Sequence, residues 1–157
     1  MKYNFEQKRN DYMSPPELVN MALAEFKRDF FDCDVCCSKE NIPALHYYKE
    51  GETDGLKMPW HNINWCNPPF NECGKWIRQA YLEQQEGHAT AMLIPVRTET
   101  KYWHDYILFN SNVKIHWLRK GPCFIHPDNL SKMDVFKNAL ALVYFMPTSN
   151  VVDKNES

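Results

Sequence analysis

Strands alternating with amphipathic helices predict an α/β fold on a mostly parallel, twisted sheet that turns antiparallel at its last strands. Three observations point there. The run Ala89–Val96 is apolar at nearly every position, as expected of a strand covered on both faces. Leu18, Met21, Ala22 and Phe26, and again Trp76, Ile77, Ala80 and Tyr81, recur at helical spacing between apolar runs. A chain of 157 residues with 44% apolar and 14% aromatic content makes one domain with a proper core.

In chain order, the first helix opens at Ser14-Pro15-Pro16-Glu17, where Ser14 is placed to cap, the prolines suit the first turn and Glu17 completes a capping box. It is expected to reach Asp29. Phe30–Cys37 reads as a buried strand carrying two acids, Asp32 and Asp34. Acids at a buried strand end are often there for a ligand, although for Asp32 an exposed or paired acid is the simpler reading. Ser38–His61 reads as loop, holding Asp54-Gly55-Leu56 and Trp60; Asp54 before glycine also suits an ordinary turn. Ile63–Cys66 is the next strand. Asn71 is expected to cap a helix running to Glu86 and stopped by Gly87. After Ala89–Val96, Thr98 or Thr100 opens a helix closing near Asn110. Val113–Leu118 and Ala139–Met146 are the last strands, separated by a loop around Gly121-Pro122 and Pro127-Asp128. Residues 1–11 are expected to be flexible, and the polar stretch 148–157 disordered.

Trp65-Cys66-Asn67-Pro68-Pro69-Phe70 carries the most chemistry. Two prolines after a buried strand fix φ and remove backbone donors, so the chain leaves the sheet stiffly. The Asn67 amide and the Pro68 carbonyl then stand as neighbouring acceptors beside the Phe70 ring. That set suits a planar ring bearing an exocyclic amine, gripped through its hydrogens and stacked on its face. The reaction it favours is methyl transfer to that nitrogen. The competing account is a plain turn, which Asn-Pro commonly opens.

Composition narrows the field. No stretch is long and apolar enough for a membrane span, and Met1–Lys8 holds no hydrophobic signal core, so a cytoplasmic protein is expected. The six cysteines then read as reduced thiols. Cys33 and Cys36 have a Cys-x-x-Cys spacing near Cys37 and His46, but no second pair follows, so no metal is expected. The net charge is −2 and unevenly spread. Residues 1–96 hold ten basic against fourteen acidic side chains, and residues 97–137 hold seven against four. This fits a cationic ligand's pocket beside a phosphate-facing surface, although ordinary solvated charge fits it equally.

Set in order, the motifs resemble the phage-type DNA N-6-adenine-methyltransferase (Dam) family from about Asp11 to Phe145. The resemblance rests on Tyr12-Met13-Ser14-Pro15-Pro16-Glu17-Leu18, on Asp32-Cys33-Asp34-Val35 with Asn41, and on Asp54-Gly55-Leu56 with Trp60. It continues through Trp65–Phe70 with Trp76, through Leu93–Thr98 with Thr100, Trp103 and His104, and ends at Ala139–Val143. It implies a Rossmann-like methyltransferase with helices on both faces of the sheet, S-adenosylmethionine as cofactor and adenine in double-stranded DNA as acceptor, acting in the host cell cytoplasm if phage-encoded. It places Ser14 and Pro15 near the methionine end of the donor, Asp34 after the first strand, and Asp54 at the donor's adenine or ribose. Asn67, Pro68, Pro69 and Phe70 match the catalytic motif. One departure is that Asp34-Val35-Cys36-Cys37-Ser38 stands where many methyltransferases carry a Gly-x-Gly loop.

The target amine's lone pair is delocalised, and hydrogen bonds from its protons to Asn67 and the Pro68 carbonyl would return density to nitrogen while aiming it. No strong base is then required; His104 reads as a packing residue, and Trp65 and Trp76 as core. A duplex base must be flipped to reach such a site, with Phe70 as its stacking partner. No separate recognition domain fits in the chain, so Arg97, Lys101, Arg119 and Lys120 are the candidates for DNA contact, and a monomer or weak dimer is expected. The alternatives are methyl transfer to cytosine N4, an RNA base or a protein glutamine, or a catalytically silent DNA-binding protein on the same fold.

Overall fold

The computed structural model describes residues 13–119 and 139–148. Lys120, the loop around Gly121-Pro122 and Pro127-Asp128, the expected flexible stretch 1–11 and the expected tail after Thr148 lie outside them.

Helix α1 (Pro16–Phe26) begins behind an extended Pro15, with Pro16 in the first turn where its missing N–H costs nothing. It ends earlier than expected, at a left-handed Lys27 (φ 55°). The expected Ser14 cap is not made. The Ser14 hydroxyl instead accepts from Trp65 Nε1 (2.8 Å) and Asn67 Nδ2 (3.3 Å), two partners more than fifty positions away.

Strands β1 (Phe31–Cys37), β2 (Ala44–Lys49), β3 (Ile63–Cys66), β4 (Ala89–Pro95), β5 (Val113–Trp117) and β6 (Leu140–Phe145) form one sheet in the order β2-β1-β3-β4-β6-β5. The first four run parallel. β6 is antiparallel to both β4 and β5, so β5 runs with β4 and, among the described strands, β6 alone is reversed. β2 lies within the stretch read as loop. Among the described residues it is paired on one side only, and half-exposed it shows no buried apolar run. Asp32 is the paired acid, held by Arg28 Nη2 (2.8 Å) and accepting from the Ile63 N–H (2.9 Å).

A 3₁₀ turn (Phe70–Glu72) leads into α2 (Cys73–Gln85) with no side-chain cap from Asn71, and Gly87 (φ 90°) closes it. The third helix, α3 (Lys101–Trp103), continues as a π-helical turn over His104–Leu108. Helices cover both faces of the sheet. α1 packs Leu18, Val19, Ala22 and Leu23 on Phe31, Trp65, Leu93 and Leu142. α2, α3 and the turn after it set Trp76, Ile77, Trp103 and Ile107 against Cys66, Met92, Ile94 and Val143. β4 lies between the two layers, which is why nearly every position of it is buried and apolar.

Candidate active site

The chain runs from β1 outward to β2 on one side, then returns to β3 on the other. Loops leaving β1 and β3 therefore part in opposite directions, and such a reversal leaves a crevice at the carboxyl ends of the strands. A cleft of about 530 Å³ opens there. Its walls are Val35–Ser38 from the end of β1, Glu50–Leu56 beyond β2, and Asn67, Pro69, Glu72, Lys75 and Trp76 from β3 into α2.

Gly55 fixes the second wall. A Cβ there would lie 2.0 Å from the Val35 carbonyl oxygen and 3.0 Å from the Trp76 ring, so only glycine allows the approach. Trp60 Nε1 donates to the Gly55 carbonyl (2.8 Å), and its ring stacks on Trp76. The turn is thus clamped to the end of β1 and carries Asp54 to the cleft edge. Asp54 Oδ1 accepts from the Leu56 N–H (2.9 Å), so the residue serves its own turn and still retains acceptor capacity.

Asn67 and Pro69 line the cleft, and Pro68 is buried behind them. Phe70 does not line it; its half-buried ring packs at the margin of both cores. Ser14 and Pro15 are buried and lie outside the lining, yet Ser14 touches Asn67. Asp34 is also outside it: β1 continues through Cys37, with a register shift between Asp34 and Cys37. The Asp34 carboxylate is buried and accepts from the Cys36 N–H (3.3 Å). Burial pushes it up to about 7, opposed by that N–H and by the Cys37 thiol. Burial likewise pushes the Cys36, Cys37 and Cys66 thiols up, so these cysteines stay protonated. Among the described residues no group of three or more His, Cys, Asp or Glu side chains is placed to hold a metal, and no helix is long and apolar enough to cross a membrane.

The sequence reading missed Tyr48, Glu50, Glu52, Glu72 and Lys75, all in the cleft wall. Four carboxylates (Glu50, Glu52, Asp54, Glu72) face one ammonium (Lys75), so the cleft is acidic. The available signal was Tyr47-Tyr48 between Pro43 and Gly51, an aromatic pair bounded by turn residues. The candidate DNA contacts lie elsewhere on the same sheet edge. Arg97 follows β4 and pairs with Glu99 (2.8 Å); Lys101 opens α3 and pairs with Asp105 (2.6 Å); Arg119 is exposed just past β5.

These features define an α/β protein whose ligand cleft sits at the carboxyl ends of parallel strands. A sequence model described as DNA N-6-adenine-methyltransferase (Dam) matches residues 3–151, and the chain belongs to that family. No curated protein matches it. Among solved structures, the precorrin 8W decarboxylase of Methanobacterium thermoautotrophicum is 19% identical, with 82% of this chain and 64% of that one covered. The chain thus spans under two thirds of that neighbour's length. Its TM-score of 0.31 is too low for a shared fold to be read from it.

Proposed function

We propose that residues 12–147 form a Rossmann-like methyltransferase domain that moves a methyl group from S-adenosylmethionine to the N6 amine of adenine in double-stranded DNA. The observation that carries the reading is the position of Asn67-Pro68-Pro69, which leaves β3 directly into an acidic cleft at the reversal of the sheet. Family membership supports DNA as substrate and the sulfonium compound as donor.

The residues present suit that donor. A cleft of about 530 Å³ is within the usual size for a small-molecule site. The donor supplies an already activated methyl group on a cationic sulfur, along with ribose hydroxyls and an amine. Glu50, at the carboxyl end of β2, and Asp54 on the clamped turn offer acceptors to the hydroxyls and amine, and the acidic walls favour the cation. Asp34 supports the Val35–Ser38 wall from beneath. Asn67 and the Pro68 carbonyl would accept from the two N6 protons and hold the amine in line with the methyl group, with Phe70 offering its ring to the flipped base. The donor would supply the methyl group and keep the electron pair of its S–C bond, and the amine proton displaced by the methyl would pass from the Asn67–Pro68 acceptors to solvent water. Arg97, Lys101, Arg119 and Lys120 would meet phosphates, the first two by exchanging their exposed carboxylate partners.

The test is incubation of the purified protein with labelled donor and genomic DNA, followed by nucleoside analysis. Label in N6-methyladenine is expected, and label in cytosine alone would overturn the reading. DNA binding without donor binding would favour the silent DNA-binding protein, and transfer to RNA or protein in competition would favour one of the other acceptors.

A further inference from the structure

We infer that Ser14 sets which way the Asn67 amide faces, and so acts on methyl transfer as a positioning residue; this rests on the amine-transfer reading above. Ser14 is buried under the catalytic turn, and three side chains donate to it. Asn41 Nδ2 reaches its carbonyl (3.1 Å), pinning the backbone ahead of α1. Trp65 Nε1 (2.8 Å) and Asn67 Nδ2 (3.3 Å) both reach its hydroxyl.

Chemistry fixes the direction of the Trp65 bond, and in this structure the Asn67 bond runs the same way, from Nδ2 to Oγ. An indole N–H only donates, so Ser14 Oγ must accept from Trp65. Trp65 is fully buried in β3, so the core itself fixes where Oγ stands. A hydroxyl has two acceptor sites, and Asn67 Nδ2 takes the second. Among the described residues this is the one hydrogen bond of the Asn67 side chain. The amide is planar, so with Nδ2 turned to Ser14 its oxygen is the end left for the cleft that Asn67 lines.

That choice matters because the two ends of the amide are opposite in kind. Oδ1 accepts from a target amine, whereas a flipped amide would present N–H to N–H. Ser14 and Trp65 therefore convert a rigid contact in the core into a fixed acceptor at the site. The role differs from donor binding, which the resemblance implied for Ser14.

The experiment compares wild type, Ser14→Ala and Ser14→Thr in the full chain. The Asn67 side-chain amide is followed by ¹⁵N NMR without DNA or donor, S-adenosylmethionine affinity by calorimetry, and transfer by single turnover. In the wild type the Asn67 amide protons should exchange slowly; rapid exchange there overturns the inference without any variant. Ser14→Ala should shift and speed those signals and cut the single-turnover rate about 10–100-fold while donor affinity holds. Ser14→Thr keeps the hydroxyl and should retain most of the rate. Added to Asn67→Ala, the Ser14 change should cost nothing further. Loss of donor affinity with the Asn67 signals unmoved would make Ser14 a donor ligand and overturn the inference. A wild type that holds the Asn67 amide yet leaves adenine unmodified would overturn the functional reading instead, since the amide is read without turnover.

Discussion

Asp34→Asn should make the protein more stable at and above neutral pH. Burial raises the Asp34 carboxyl from 3.8 to about 7 in the folded chain, the Cys36 N–H and the Cys37 thiol only partly opposing it. A carboxyl raised on folding binds its proton more tightly in the native state. Between about pH 4 and 7 the folded chain then holds more protons than the unfolded one, so stability falls as pH rises and levels off above that window. A shift of roughly three units corresponds to about 4 kcal/mol of lost stability at most. The asparagine oxygen can still accept from Cys36, but its new N–H group meets only a thiol, a weak acceptor, at a cost of about 1–3 kcal/mol. The net gain at pH 8 should therefore be about 1–3 kcal/mol, or several degrees in Tm, shrinking to nothing or reversing near pH 5. Scanning calorimetry of both proteins from pH 5 to 8 isolates this group, because the remaining carboxylates are common to both. Parallel pH slopes, or a variant less stable at pH 8, would refute the linkage. Donor affinity measured alongside should be unchanged, since Asp34 lies outside the cleft lining; a tenfold loss would put its carboxylate on the donor.

Four further outcomes follow from the cleft and its margin. Gly55→Ala must move the clamped turn off the Val35 carbonyl, and should cost about 1–3 kcal/mol or more in denaturant melts and weaken donor binding; wild-type values for both would disprove the clamp. Asp54→Ala should weaken donor binding by about 1.5–3 kcal/mol in calorimetry while duplex binding persists, and unchanged affinity in a folded variant would leave Asp54 as a turn residue only. Asn67→Ala should lower the single-turnover rate about 10²–10³-fold with donor affinity nearly intact. Phe70→Ala should also loosen the flipped base, by about 1–3 kcal/mol, where Phe70→Tyr is mild; near-full rate in either alanine variant would refute the assigned role.

What the sequence exposed and what it hid divide along physical lines. Helices α1 and α2 were legible from apolar residues at helical spacing, and strands β1, β3, β4, β5 and β6 as short apolar or alternating runs between turn signals. β2 was hidden because an edge strand has one partner and keeps Leu45 exposed, and Glu50 and Glu52 were lost with it. Alternation puts Asp34 and Cys36 on one face, and only the register slip between Asp34 and Cys37 leaves Cys36 but not Asp34 in the cleft wall. The Asn67 turn was legible, since two prolines after a strand allow little else. Ser14 was not: a serine before prolines suits a helix cap as well as a bond to Trp65 and Asn67, and only tertiary structure chooses.

The uneven charge along the chain acquires a geometry from the order of the strands. The acidic stretch before residue 97 supplies β2, β1 and β3, and the basic stretch after it supplies the segments beyond β4 and β5. β1–β5 all point the same way, so their carboxyl ends share one edge of the sheet. Along that edge Glu50 and Glu52 follow β2, Asn67 follows β3, Arg97 follows β4 and Arg119 follows β5. Neighbouring strands are about 4.8 Å apart, so the step from Asn67 to the level of β5 is roughly 14 Å. For the proposed reaction this separation has a use. A cationic donor is drawn to one side of Asn67 and phosphates to the other, and neither charge must cross the other's ground to reach the amide between them. Reversing the basic side alone, with Arg97→Glu and Arg119→Glu together, should then weaken duplex binding and flatten its salt dependence while donor affinity stays at the wild-type value. Filter binding across a salt series, with calorimetry for the donor, reads both. Donor affinity falling in step with DNA affinity would show that the two charged regions are one site, and the division of the edge at β3 would fail with it.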